Sequence, residues 1–297
     1  MSRRDPKSIV SELNKFLKIK LWRIMNSIDQ IEHDIKNKVL IATGGQKSVY
    51  SANHTIYGKV AFKEVKDLDE EMKKRMEREV SILRELNTSS YPKIFDMAFS
   101  DDKKRCIILE EFIESDTLRK VMNNYFEPRK ALELIREIVI KLSTIWEKNI
   151  VHRDIKPENI LIENSGSVKI IDLGCARDLD EKTITQMGGA PHTKAYAAPE
   201  QIQYNKTRIT TRTDQFPIGI ILGELVYQGI HPFNYKLTKD PNLINAMLSN
   251  NWYRQGVRNY PKLSYLMERL LSVQPYNRFA STNQLLNAID EAKGEFV

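Results

Sequence analysis

The 297-residue chain is poor in cysteine and has no long hydrophobic run. Its two cysteines, Cys106 and Cys175, stand far apart without metal-ligand spacing, and no secretory signal opens the sequence. We therefore expect a reducing, cytoplasmic compartment. The longest apolar stretch, residues 216–230, contains Glu224 and is too short to cross a bilayer, so it predicts a buried helix. No internal repeat or low-complexity linker is present, which favours a single catalytic unit.

Acidic residues are scarce at the start of the chain. Residues 1–23 contain seven basic residues and only two acidic ones, Asp5 and Glu12, so this segment carries +5 of the formal net charge of +7. The remainder is nearly neutral, and 41% of the chain is hydrophobic. This length and composition suffice for a full core together with a modest N-terminal extension.

The most informative segment is the loop sequence His152-Arg153-Asp154-Ile155-Lys156-Pro157-Glu158-Asn159. Phosphoryl transfer requires an oriented hydroxyl and charge compensation on the phosphate oxygens. Asp154 can accept or orient the hydroxyl proton, and Lys156 can meet the moving phosphoryl group as a point charge. The apolar runs 160–162 and 168–171 follow and predict two short buried strands, which would bring Asp172 beside the loop.

This loop resembles the catalytic loop of eukaryotic-type protein kinases, in particular the bacterial Ser/Thr branch. The resemblance extends from about Lys36 to the C-terminal helix. It implies an α+β, two-lobed protein kinase fold. We expect a basic amphipathic helical extension over residues 1–35, a small, mostly antiparallel β lobe with one long helix over 36–113, and a larger, mainly α-helical lobe over 114–297.

The family assigns a phosphate-binding lysine to a strand of the small lobe, and Lys63 in Val60-Ala61-Phe62-Lys63 matches it. A long charged helix follows, at about residues 71–86. Its Glu79 is the candidate ion-pair partner of Lys63, because Val80, Leu83 and Leu86 would then form the buried stripe. Glu77, on another face of that helix, is the competing candidate.

Further motifs occur in the family's order. Asp172-Leu173-Gly174 resembles the magnesium-binding Asp-Phe-Gly, and with Asn159 it would hold Mg²⁺, or alternatively Mn²⁺, through oxygen ligands. Ala198-Pro199-Glu200 resembles the end of the activation segment. The resemblance also implies four architectural residues, of which Glu200 pairs with Arg278, Asp214 braces the catalytic-loop backbone and Arg153 precedes the catalytic aspartate.

The nucleotide-binding positions depart from the family pattern. Residues 42–49 align with the glycine loop, where only the middle glycine, Gly44, is retained, so we expect weaker ATP binding without loss of catalysis. Glu110 stands where the family usually has an apolar residue, and a buried carboxylate there needs a partner such as a lysine, or water. The ATP-binding positions implied by the resemblance are Gly44, Gly45, Val49, Ala61, Lys63, Glu111, Ile113 and Leu161.

The pattern favours a protein serine/threonine kinase that uses ATP and magnesium and also phosphorylates itself. Lys156, two residues after Asp154, is typical of Ser/Thr enzymes, and Thr193 matches their activation-segment threonine. Thr183 and Thr185 are candidate phosphorylation sites whose phosphate Arg153 would bind. Two alternatives are a small-molecule phosphotransferase on the same fold and a nucleotide-binding pseudokinase scaffold.

The N-terminal extension lies outside the resemblance. Its apolar residues recur at spacings of three and four from Val10 to Ile35, which predicts one long amphipathic helix. We expect this helix to pack on the small lobe of its own chain rather than form a homodimeric coiled coil. Its charge also fits an acidic partner, and contact with a membrane or nucleic acid is a minority hypothesis.

Overall fold

A computed structural model of the protein describes residues 27–44, 46–86, 88–179, 195–238 and 242–296. The chain divides into two compact units, one made of residues 1–73 and 93–112 and the other of residues 74–92 and 113–297. Among the described residues, no helix combines the length and hydropathy needed to cross a membrane.

The first unit is built on a five-stranded antiparallel sheet. A short helix precedes it, and the elements are α1 (Ile28–His33), β1 (Ile35–Gly44), β2 (Lys47–His54), β3 (Gly58–Val65), β4 (Ile94–Phe99) and β5 (Cys106–Glu111). The strand order is β1-β2-β3-β5-β4. The central strand β3 is buried from Val60 to Val65 and contains the predicted Val60 to Lys63 segment, so this strand prediction is confirmed.

The apolar face of this sheet is covered in part by α1. Ile28 and Ile31 are 6% and 2% exposed and share a cluster with Val60, Phe62 and Leu109. This end of the N-terminal extension therefore packs on the small lobe of its own chain, as predicted. Residues 1–26, which carry most of the predicted helix and its basic charge, lie outside the described residues.

The prediction of one unbroken helix through Ile35 is wrong. Ser27 is extended and accepts a hydrogen bond from the Gln30 backbone N–H, so it caps the start of α1. The helix ends at His33, and Ile35 is already the first residue of β1. The spacing of three and four continues past the end of α1 because Ile28, Ile31 and Ile35 all pack against the same core.

Helix α2 (Glu70–Leu86) confirms the predicted long charged helix. The Asp69 carboxylate accepts a hydrogen bond of 2.7 Å from the Met72 backbone N–H, which satisfies one of the first-turn donors. The predicted stripe of Val80, Leu83 and Leu86 is buried, and Glu79 is buried beside it. From residue 74 onward the helix belongs to the second unit.

The second unit is mainly helical. Its longer helices are α4 (Pro128–Trp146), α6 (Gln215–Val226), α9 (Pro261–Leu270) and α10 (Thr282–Lys293). Its shorter helices are α3 (Leu118–Val121), α5 (Pro199–Ile202), α7 (Tyr235–Thr238) and α8 (Leu243–Leu248). Helix α6 is the predicted buried helix, and a Cβ on its Gly219 would lie 2.8 Å from Leu270 Cβ, so the glycine permits close packing against α9.

Two small antiparallel sheets position the loops of the second unit. One contains β6 (Ser115–Thr117), β8 (Ile160–Glu163) and β9 (Val168–Ile170), and the other pairs β7 (Ile150–Val151) with β10 (Arg177–Asp178). Strands β8 and β9 confirm the two short strands predicted from the apolar runs. A sheet-based first unit and a mainly helical second unit together confirm the predicted α+β, two-lobed organisation.

Candidate active site

The backbone of the loop between β7 and β8 is anchored by Asp214, which is fully buried. Its Oδ2 accepts hydrogen bonds from His152 N at 2.8 Å and Trp146 Nε1 at 2.9 Å, and its Oδ1 accepts one from Arg153 N at 2.9 Å. Burial raises the pKa of Asp214, while the nearby His152 and the three donors act in the opposite direction. The predicted bracing contact of Asp214 is thus present.

Arg153 occupies the left-handed backbone region, with φ at +69°. This conformation costs free energy for a residue with a side chain. Two distant side chains hold it, because Asp214 accepts from its N–H and Gln201 Nε2 donates to its carbonyl oxygen at 2.9 Å. The backbone immediately before Asp154 is therefore held at two points. Gln201 holds it from α5, and Asp214 holds it from the residue directly before α6.

His152 is buried, and burial lowers the pKa of its imidazole. Its Nδ1 accepts a hydrogen bond of 3.3 Å from the Asp154 backbone N–H, while its Nε2 lies 3.3 Å from the Ile171 carbonyl oxygen. The neutral ring with its proton on Nε2 satisfies both contacts. His152 therefore joins the start of the loop to the residue before Asp172 as a structural group.

The two carboxylate oxygens of Asp154 have different surroundings. Oδ2 accepts hydrogen bonds from Lys156 Nζ at 2.8 Å and from Asn159 Nδ2 at 2.9 Å. Oδ1 is buried and accepts no hydrogen bond from the part of the chain that the structure describes. Burial raises the pKa of Asp154, Lys156 lowers it, and the negative charge of Asp172 raises it further. One oxygen is thus held by two donors, while the other accepts no hydrogen bond from the described residues.

Asn159 and Asp172 provide oxygen ligands suited to magnesium. The Asn159 amide nitrogen donates to both Oδ2 and the backbone oxygen of Asp154, which leaves its side-chain oxygen for another partner. The Ile171 N–H donates to the Asn159 carbonyl oxygen at 3.0 Å, so the residue before Asp172 is attached to the loop. Amide and carboxylate oxygens are ligands that Mg²⁺ prefers, and the residues present fit this ion.

Gly174 lies between two carboxylates of the second unit. A Cβ on Gly174 would be 3.2 Å from Asp172 Oδ1 and 3.3 Å from Glu79 Oε2. The Gly174 N–H also donates to Asp172 Oδ1 at 3.4 Å. Any larger residue would push against both acidic groups, which accounts for glycine at this position. Lys63 belongs to the first unit, so its predicted pairing with Glu79 stays a prediction.

Within the first unit, Lys63 Nζ lies 2.5 Å from Glu110 Oε1, and the two side chains are 7% and 5% exposed. In the β3–β5 pairing, Glu110 is opposite Ala61, two residues from Lys63. Such diagonal neighbours point to the same face of a sheet. The expectation that Glu110 needs a buried partner such as a lysine is confirmed, and the partner is Lys63.

The remaining predicted nucleotide positions are divided between the units. Gly44 ends β1, Val49 is opposite both Ala42 and Lys63, and Glu111 exchanges backbone and side-chain hydrogen bonds with Lys93. Ile113 and Leu161 belong to the second unit and are half-buried. The predicted positions outside the described residues are Gly45, Thr183, Thr185 and Thr193.

The predicted pair of Glu200 and Arg278 is present and buried. The guanidinium donates to both carboxylate oxygens, at 2.7 and 2.9 Å. It also donates to the backbone oxygens of Ser272 and Arg212, each at 3.0 Å. This one side chain therefore joins α5 to the segments before α6 and after α9.

Sequence reasoning missed a polar network in the second unit. Arg119 on α3 donates to Glu158 Oε1 at 2.9 Å and to the Tyr196 hydroxyl. Tyr196 in turn donates to the Glu224 carboxylate at 2.7 and 2.8 Å. Burial and the Glu224 charge raise the pKa of Tyr196, so its proton stays on the hydroxyl. Glu158 belongs to the loop motif, but no sequence signal identified Arg119.

The anchored loop, the carboxylate held by Lys156 and Asn159, and the oxygen ligands suited to magnesium fit a protein kinase domain. Residues 35–288 match the protein kinase domain family, and the chain belongs to that family. It is similar to the serine/threonine-protein kinase PrkC of Bacillus subtilis, with 33% identity over 66% of this chain and 30% of that protein.

Two further relatives come from other bacteria. A probable serine/threonine-protein kinase PknB of Lactococcus lactis is 33% identical over 65% of this chain and 31% of its own length. The serine/threonine-protein kinase PknL of Mycobacterium tuberculosis is 30% identical over 65% of this chain and 49% of its own length. The chain thus spans between 30% and 49% of the length of these relatives.

Proposed function

We propose that this chain is a protein serine/threonine kinase that transfers the γ-phosphate of ATP to serine or threonine hydroxyls of a protein, including its own. The observation that carries the proposal is the asymmetric Asp154 carboxylate, with Oδ2 held by Lys156 and Asn159 and Oδ1 buried without a hydrogen bond from the described residues. The names of the similar bacterial proteins support the choice of serine and threonine.

In this proposal, Asp154 Oδ1 accepts the proton of the substrate hydroxyl and directs its oxygen toward phosphorus. Lys156, already within 2.8 Å of Asp154, meets the phosphoryl group as it moves toward that oxygen. Asp154 and Lys156 lie on the same short loop. Asp214 and Gln201 hold the backbone of this loop at Arg153.

In the proposed reaction, Asn159 and Asp172 would hold magnesium through their side-chain oxygens. When bound, the ion neutralises charge on the phosphate oxygens. Mn²⁺ would be bound by the same oxygen ligands. In the first unit Lys63 contributes a phosphate contact, and the pairing with Glu79 belongs to the proposal. A cytoplasmic location, predicted from the isolated cysteines, is consistent with ATP as the phosphate donor.

The test is transfer of labelled γ-phosphate from ATP and Mg²⁺ to the protein itself and to a generic basic protein, followed by phosphoamino-acid analysis. Asp154→Asn keeps the side-chain size but removes the proton acceptor, so we expect kcat to fall by about 10²–10⁴-fold. Phosphoserine or phosphothreonine should account for the label in the unmodified chain.

The matched control is Asp290→Asn. Asp290 is a carboxylate on α10 that pairs with Arg136 at the surface, and it has no place in the proposed chemistry. This variant should retain activity. Equal activity of Asp154→Asn and the unmodified chain would refute the proposal, and label on a small molecule but on no protein would indicate a different phosphotransferase.

A further inference from the structure

The Lys63–Glu110 pair has an energetic consequence for nucleotide binding. Both side chains are almost completely buried, and their charged atoms are 2.5 Å apart. A buried ammonium or carboxylate without a partner is strongly destabilising, so the loss of either side chain would leave the other as an uncompensated buried charge. In this arrangement the positive charge of Lys63 is already offset by a negative charge inside the same sheet.

A phosphate that approaches Lys63 also approaches Glu110. The ammonium has three N–H donors, so it can contact a second anion while one donor remains on Glu110. The carboxylate would then lie within a few ångströms of that anion, and like charges at this separation repel, more strongly where water is excluded. An apolar residue in place of Glu110 would impose no such repulsion.

We propose that Glu110 is a specificity-determining residue that competes with nucleotide phosphates for Lys63 and so weakens the binding of phosphate-bearing nucleotides. The inference rests on the proposed kinase function, in which Lys63 contacts phosphate. It predicts a selective effect, because a nucleoside without phosphates does not need the Lys63 ammonium. Adenosine affinity is therefore independent of Glu110, while ADP and ATP affinities depend on it.

A second buried carboxylate on the same strand supplies a matched control. Glu64 follows Lys63 on β3, is 4% exposed, and forms ion pairs with Arg105, Lys38 and Lys66. Adjacent residues of a strand point to opposite faces, so Glu64 lies on the face away from Lys63 and Glu110. Glu64→Gln removes the same charge from the same sheet without touching the Lys63 pair.

The experiment is calorimetric titration of the unmodified chain, Glu110→Gln and Glu64→Gln with adenosine, ADP and ATP at constant ionic strength. Glu110→Gln should bind ADP and ATP about tenfold more tightly, with adenosine affinity unchanged within about twofold. Glu64→Gln should bind all three ligands as the unmodified chain does. Glu110→Asp keeps the negative charge, so it should bind ADP and ATP about as weakly as the unmodified chain does.

Different results would contradict the role proposed for Glu110 and the kinase function on which that role rests. Equal or weaker ADP and ATP binding by Glu110→Gln would overturn the inference, as would a parallel gain for adenosine. Failure of the unmodified chain to bind any of the three ligands would refute the proposed function itself.

A measurement on the unmodified chain covers the case in which Glu110→Gln does not fold. There we expect ATP to bind no more than about tenfold more tightly than adenosine, because Glu110 offsets the gain from the phosphates. A preference for ATP of more than about a hundredfold would overturn the inference without any variant.

Discussion

Replacement of Asp214 by asparagine should destabilise the second unit and slow the chemical step together. The carboxylate is fully buried and accepts three hydrogen bonds, two at Oδ2 and one at Oδ1. An asparagine of the same shape has only one oxygen. Whichever way the amide turns, at least one buried N–H will face the amide nitrogen instead of an acceptor.

The favoured orientation keeps the amide oxygen at the Oδ2 position, where it accepts from Trp146 and His152. The Arg153 N–H then loses its acceptor, which costs about 1–3 kcal/mol for a buried donor. Exchange of a charged for a neutral acceptor in the other two bonds costs about 1 kcal/mol each. Asparagine avoids the desolvation of a carboxylate, so the net loss should be about 2–4 kcal/mol.

The functional effect should appear in kcat because the lost bond belongs to Arg153. Its backbone, at φ +69°, is held in an unfavourable conformation directly before Asp154. Without the Asp214 contact, that conformation can relax and displace the Asp154 carboxylate. A displacement of about 1 Å costs about a hundredfold in rate, so we expect kcat to fall by about ten- to a hundredfold while the KM for ATP changes little.

Urea unfolding and steady-state phosphotransfer test the two parts, with Trp146→Phe as the control. This variant removes one donor to Asp214 but leaves the charge and the bond to Arg153, so it should cost about 1–2 kcal/mol and reduce kcat less than threefold. An unchanged unfolding free energy for Asp214→Asn would contradict this prediction, as would a loss of kcat in Trp146→Phe as large as that in Asp214→Asn.

Two further predictions concern a buried ion pair and a half-buried histidine of the second unit. Arg278→Met leaves the buried Glu200 carboxylate unpaired and should reduce the unfolding free energy by about 3–5 kcal/mol, whereas Arg278→Met with Glu200→Gln should lose less; equal losses in urea unfolding would contradict this. Burial lowers the pKa of His231 from 6.5 to about 4, so the unfolded chain binds the proton first as the pH falls. About 3 kcal/mol of stability should be lost between pH 6.5 and 4, and His231→Gln should lose correspondingly less over the same range; parallel curves would exclude His231 as the cause.

Local patterns were sufficient to predict the elements that position the loop. Strands β8 and β9 follow from two short apolar runs, whereas α2 was expected from the family resemblance and only its register from the stripe of Val80, Leu83 and Leu86. The end of α1 could not be read from the same periodicity. Ile35 is at helical spacing from Ile31, yet it begins a strand, because Ser27 and Asp34 cap a helix of six residues.

Contacts between distant segments were predicted only where a motif named both partners. Glu200 and Arg278 were paired in advance through the family resemblance, while Gln201, next to Glu200, was not assigned its bond to the Arg153 carbonyl oxygen. For Glu110 the cost of an unpaired buried carboxylate predicted the need for a partner. The identity of that partner depends on the register of β3 and β5, which composition and spacing do not specify.

Asp214 and Glu110 show that the partner of a buried carboxylate determines whether a substrate anion can displace that carboxylate. The donors to Asp214 are two backbone N–H groups and an indole, which are fixed by the backbone and by packing, so a substrate cannot replace this carboxylate without unfolding the loop. Glu110 instead faces a lysine, whose four-carbon stem is flexible and whose ammonium binds any suitably placed anion. A phosphate can therefore compete with Glu110, although it cannot compete with Asp214. The carboxylate of Asp214 therefore holds the loop of the second unit permanently, whereas the carboxylate of Glu110 is an exchangeable counterion of Lys63 in the first unit.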